Sequence, residues 1–160
     1  MFNMKVLVVF GSKSDSKVYD HIEKKLKSLG VECEVKVASA HRNPELVEEL
    51  ANGDANVIIA GAGLSAALPG VIASKTIKPV IGVPVKGNYE GLDALLSIAQ
   101  MPPGIPVLAV GAENVDVASE NAKKMLKSYD GVVLVGDKEE KAVKKAIEIL
   151  DLFNVEYIVG

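Results

Sequence analysis

Six short apolar runs recur along this chain: KVLVVF (5–10), CEVKVA (33–38), NVIIAGA (56–62), PVIGVPV (79–85), PVLAVG (106–111) and GVVLVG (131–136). Several are apolar at nearly every position, the pattern of strands covered on both faces. The stretches between them carry a different period. In 16–29, Val18, Ile22, Leu26 and Leu29 share one helical face and Gly30 supplies the stop; in 139–153, Val143, Ala146, Ile147, Leu150 and Phe153 do the same. Strands alternating with helices, joined by right-handed crossovers, predict an α/β fold: a parallel sheet sandwiched between two helical layers.

Composition narrows what such a fold can serve. The 160 residues are 49% hydrophobic but only 4% aromatic, so the expectation is one domain over 1–160 with an aliphatic core. A net charge of -3, with lysines and acids interspersed, leaves no basic stripe to neutralise a phosphate backbone; nucleic acid is not an expected partner. Cys33 stands alone, which excludes an internal disulfide and a cysteine-rich zinc site. With no charged-then-apolar leader and no long apolar run, the expectation is a soluble, cytoplasmic protein without a membrane partner. Residues 131–160 repeat the plan of the first strand, helix and strand, and form an atypical strand-helix-strand extension; their turn, GDKEE, lacks the serines of the first copy.

In an open parallel sheet, ligands bind at the carboxyl ends of the strands, so the chemistry is expected in the turns that follow them. After the first strand, GSKSDS (11–16) sets a glycine turn and hydroxyls at a helix start, where free N–H groups and Ser12 and Ser14 suit a phosphate and Asp15 can accept from a ribose; a plain helix cap is the alternative. After the second, SAHRNP (39–44) puts Pro44 in the first turn of a helix with Asn43 as its N-cap, leaving Ser39 to Arg42 as a loop at the ligand end. His41 there is a proton carrier suited to neutral pH, and Arg42 offers a planar fork to an anion. His21, inside the first helix, reads as a solvent-facing residue.

After the third strand, GAGLSAALPG (61–70) contains G-x-G-x-x-A. No acid follows between Leu64 and Tyr89 to take a ribose hydroxyl, and Pro69 interrupts the helix that would carry a pyrophosphate, so a nicotinamide site does not fit. A glycine-rich wall against a flat ligand does. The fourth turn is KGNYEGLD (86–93); Gln100, Met101 and Pro102 close a later helix. No metal-ligand spacing, Walker loop or nucleophile elbow is present, so acid/base work by His41 and Asp15 is what these residues offer, with no cofactor expected.

GSKSD, SAHR, AGAG with LPG, GVPV, GLDALLSIAQMP and GIPV, in that order over about residues 5–111, resemble the purine-biosynthesis family that contains carboxyaminoimidazole ribonucleotide mutase and the direct aminoimidazole ribonucleotide carboxylase, the PurE type. The resemblance implies a flavodoxin-like three-layer αβα sandwich, assembled as a homo-octamer and working on a small ribonucleotide without metal or cofactor. It implies an isomerase or lyase in which His41 is the general acid/base. Ser12, Ser14, Asp15, Ser39 and Arg42 would hold the ribose 5-phosphate and polar groups, and Ala62, Gly63 and Leu64 would line the ring and carbon dioxide pocket. Some positions depart from the family: Ala67 stands where a histidine is usual, Leu64 replaces a glycine, and the loop after the fifth strand reads GAENVDVASENA, with Asn121-Ala122 its recognisable pair. Three other readings stay open at this point: the direct carboxylase, a nickel-pincer cofactor type carboxylase, and a catalytically silent nucleotide-binding subunit.

Overall fold

The computed structural model describes residues 4–127, 132–137, 139–152 and 156–159. Where the sequence suggests one domain carrying an extension, the chain divides into two compact units, Met1–Leu126 and Lys127–Gly160.

In the first unit the strands are β1 (Lys5–Phe10), β2 (Glu32–Val37), β3 (Val57–Ala62), β4 (Val80–Pro84) and β5 (Leu108–Ala109), all parallel, in the order β2-β1-β3-β4-β5. Register follows from burial on both faces. Val8 pairs with Val35 on one side and Ile59 on the other, and Ile59 pairs with Ile81. The six-residue run read at 106–111 yields only the two-residue β5, because an edge strand has one neighbour to bond and Pro106 lacks a donor.

Side-chain alternation separates the two helical layers. Val6, Val8, Phe10, Val57, Ile59, Ile81 and Val83 pack with α1 (Ser16–Ser28) and α5 (Val115–Met125), while Leu7, Val9, Ile58 and Ala60 pack with α2 (Pro44–Ala51) and α3 (Leu68–Ala73). A small cluster of Ala66, Ala94 and Ile98 seats α4 (Leu92–Ala99), with Ile98 against Gly82. α1 shows how sequence sets these elements. Val18, Ile22 and Leu26 are buried, His21 is exposed, and Gly30 ends the helix at φ +71° while the Val31 N–H reaches back to Leu26 O at 3.0 Å. Replacing Leu26 by Ala would cost about 3 kcal/mol through the cavity left behind.

The second unit is a parallel pair, β6 (Val132–Leu134) and β7 (Tyr157–Val159), joined by α6 (Lys141–Leu152). Val143 is buried and Ala146, Ile147 and Leu150 are half-buried, the face read from the sequence; Phe153 lies outside the described residues. No described helix is long and apolar enough to cross a membrane.

The strand order positions the site. From β1 the chain crosses first to β2 on one side and then to β3 on the other, so connections leave β1 and β3 in opposite directions and open a crevice at their carboxyl ends.

Candidate functional site

The crevice holds a cleft of about 480 Å³. Its walls come from the turns after four strands: Gly11, Ser12, Ser14 and Asp15 after β1; Ser39, Ala40 and His41 after β2; Ala62 to Leu68 around the end of β3; Val85 to Gly87 after β4. Arg42 lies beside it, lining an adjoining hollow with Lys13 and Asn43 that shares Gly11, Ser12 and Ser39 with the cleft. The nine residues singled out from the sequence therefore converge on two connected spaces.

The β1 turn is organised by its own hydroxyls. Ser12 caps a single 3-10 turn, Lys13–Asp15, its Oγ accepting from the Ser14 N–H at 3.2 Å. The Ser14 hydroxyl is 2.8 Å from Ser12 Oγ and 3.1 Å from Asp15 Oδ1. It has one proton to give, so the self-consistent chain runs from Ser12 to Ser14 to Asp15. Burial pushes the Asp15 carboxyl above its ordinary value; the Ser14 hydroxyl works against that, and the Glu113 carboxylate adds to the rise.

The SAHRNP loop is held by Ser39, whose Oγ accepts from the His41 N–H at 3.4 Å and the Arg42 N–H at 3.3 Å. Asn43 does take the N-cap position of α2, but its carboxamide does not cap the helix. Its Oδ1 turns back to accept from the Ser39 N–H at 2.6 Å, bracing the loop instead. Arg42 donates from one terminal nitrogen to Gly11 O at 3.1 Å, which ties the β1 and β2 turns together and leaves its other donors for an anion. The His41 side chain is exposed on the cleft and makes no hydrogen bond to a described residue, so both ring nitrogens are available to a ligand.

The glycine-rich wall has two roles. Gly61 is buried, and a Cβ there would stand 2.1 Å from Phe10 Cε1: this glycine admits the core ring and does not face the cleft. Gly63 does line the cleft, close to Val85 O. Leu64 then takes φ +55° and Ala66 φ +21°, left-handed geometry that costs a side-chain-bearing residue about 1–2 kcal/mol and is held by the Ala66 N–H to Gly63 O bond at 3.0 Å. The helix that follows this wall, α3, begins at Leu68 and has six residues.

Gln100, polar on an apolar element, is exposed at the C-cap of α4 and is not part of the cleft, while Met101 fills the space above Gly70. In the loop after β5, Asn114 caps α5, accepting from the Val117 N–H at 3.2 Å, and Asn121 is half-buried within α5. Glu113, at φ +53°, donates its N–H to Pro84 O at 2.8 Å and accepts from the Lys86 N–H at 3.1 Å through Oε1, pinning the end of β4. Lys86 opens the turn KGNYEGLD and Glu113 lies in the run GAENVDVASENA; neither run gives either residue a role on its own, and a contact across 27 residues joins them. Among the described residues no three His, Cys, Asp or Glu side chains gather in a way that would hold a metal ion.

Comparison with known proteins identifies the family. The family model described as AIR carboxylase matches residues 5–136. The N5-carboxyaminoimidazole ribonucleotide mutase of Methanocaldococcus jannaschii is 51% identical over 89% of this chain and 86% of its own length, and that of Pyrococcus abyssi 49% over 76% and 73%. The crystal structure of Treponema denticola PurE superposes with a TM-score of 0.63 at 25% identity, covering 92% of this chain and 97% of that one. On the match over 132 consecutive positions and on both relatives, this chain belongs to the AIR carboxylase family.

Proposed function

We propose that this chain is a carboxyaminoimidazole ribonucleotide mutase of purine biosynthesis, moving a carboxyl group from the exocyclic nitrogen of the substrate to the ring carbon. The observation that carries this reading is the meeting of His41, whose ring makes no hydrogen bond to a described residue, with the β1 hydroxyl turn and the Gly63 wall in one cleft. In the first half-reaction the His41 imidazolium gives its proton to the exocyclic nitrogen as the nitrogen–carbon bond to the carboxyl breaks, releasing carbon dioxide and aminoimidazole ribonucleotide. In the second, the nucleophilic ring carbon bonds to that carbon dioxide, and the now neutral His41 removes the ring-carbon proton. One group thus serves as acid and then base, and the proton count closes over the cycle.

The remaining residues hold the ligand. The Ser12–Ser14–Asp15 chain and Arg42 flank the shared edge of the two spaces, where a ribose 5-phosphate fits; Ser39 shapes the loop that presents His41; Ala62, Gly63 and Leu64 cover the ring and keep water from the trapped carbon dioxide. The homo-octamer and the cytoplasmic location implied by the resemblance belong to the same proposal. Self-association is supported by apolar side chains left in solvent on α4, Leu92 and Leu96.

The test is direct. Incubation with carboxyaminoimidazole ribonucleotide should yield the ring-carboxylated product, and aminoimidazole ribonucleotide plus bicarbonate alone should not; the reverse result makes the enzyme a direct carboxylase, and silence in both defeats the proposal. His41→Asn should lower kcat at least a hundredfold with nucleotide affinity retained. A variant that turns over normally removes His41 from the mechanism.

A further inference from the structure

The turn KGNYEGLD at the end of β4 opens with a cation. Lys86 follows the buried run Val83–Val85 and lines the cleft. Among the residues that line that cleft it is the one lysine or arginine, since Arg42 and Lys13 line the adjoining hollow beside β1 and β2. β2 and β4 lie three strand spacings apart, roughly 14 Å across the sheet. Cationic groups thus stand at the two ends of the ligand-binding edge, with the Gly63 wall between them.

The position of Lys86 is set by backbone contacts and not by its charge. Its N–H donates to Glu113 Oε1 at 3.1 Å, and its stem runs past Gly91, where a Cβ would stand 3.6 Å from Lys86 Cγ. The ammonium itself makes no hydrogen bond or ion pair with any described residue.

We propose that Lys86 binds the carboxyl group that this enzyme moves, giving the site a phosphate end at β1 and β2 and a carboxylate end at β4. This rests on the mutase reading above. The carboxyl is anionic on nitrogen and on carbon and uncharged as carbon dioxide in between. A cation fixed beside it therefore holds the two carboxylated nucleotides and contributes nothing to holding aminoimidazole ribonucleotide. Such binding is made in the ground state and weakens as the carboxyl becomes carbon dioxide, so its loss raises KM without lowering kcat.

Lys86→Met and Lys86→Arg in the intact chain test this by titration calorimetry with the ring-carboxylated nucleotide and with aminoimidazole ribonucleotide, together with steady-state kinetics. Lys86→Met should weaken the carboxylated ligand roughly fivefold, as loss of a solvent-exposed ion pair does, with the uncarboxylated ligand unaffected, KM raised and kcat not lowered. Lys86→Arg should restore the affinity. Equal weakening of both ligands, no weakening of either, or a fall in kcat at constant KM overturns the assignment while wild-type turnover keeps the mutase reading standing. Wild-type protein that binds neither nucleotide overturns both.

Discussion

Two positions four residues or fewer apart show how differently a side chain can matter in one turn. Gly61 has no room: Phe10 Cε1, Cζ and Cδ1 all lie within 2.6 Å of where a Cβ would stand, and Phe10 is itself fully buried and edge-on to Tyr19 with centroids 5.5 Å apart. Gly61→Ala should lose about 3 kcal/mol of stability, the cost of overpacking a ring that cannot move, read from the urea midpoint. Leu64 is the opposite case. It is 64% exposed, so truncation gives up little burial, and its φ of +55° is strained for any residue with a Cβ. Leu64→Gly should raise stability by about 1 kcal/mol in the same experiment, and a midpoint that falls instead would mean the leucine's packing outweighs its backbone strain. Strain is spent at this cleft: of the positive-φ residues other than glycine among those described, Leu64 and Ala66 line it and Glu113 braces it.

At the scale of elements, β2 is one of the two sheet edges and is managed by charge. None of its residues is fully buried, Glu32 and Lys36 are exposed, and Glu34 is held by Lys36 Nζ at 2.6 Å and by Lys5 Nζ of β1 at 2.7 Å. The hydrogen bond from Lys36, then that from Lys5, lowers the Glu34 carboxyl to about 2. A depressed carboxyl contributes stability above its unfolded-state value near 4.5 and loses it as pH falls through about 2. The side chain is 38% exposed, so solvent screens the pair and the contribution is below about 1 kcal/mol. Glu34→Gln should be slightly less stable than wild type at pH 7, with the gap closing between pH 4.5 and 2; a gap that persists at pH 2 would assign the effect to something other than charge. The elements legible in sequence were those whose period is set by burial: β1, β3, β4 and α1 match their apolar patterns within a residue or two. β5 was overread because its run is apolar for reasons other than pairing, with Leu108 40% exposed at the edge. In the site, the turns after the strands are legible from their glycine and proline signals, while the meeting of Lys86 with Glu113 is not, because only a contact across 27 residues makes them neighbours.

At the scale of the molecule, parallel order decides where function sits. All strands of the first unit end on the same edge, so four turns separated by up to 76 positions, from Gly11 to Gly87, reach one cleft without any of them being adjacent in sequence. The same arrangement leaves its outer elements unfinished. α4 buries Ala94 and Ile98 on the sheet side, and one turn apart on the other side Leu92 is 57% and Leu96 48% exposed. Two such leucines form an apolar strip open to solvent, and a second copy of the chain is the occupant consistent with the proposed octamer. Leu92→Asp combined with Leu96→Asp touches neither core cluster nor cleft, so each chain should keep its fold and its circular dichroism. In light scattering the wild type should run at the mass of eight chains and the double variant at a smaller species, because paired carboxylates repel across an isologous contact. An unchanged octamer in the variant would move the interface away from α4, and a monomeric wild type would remove the assembly from the proposal.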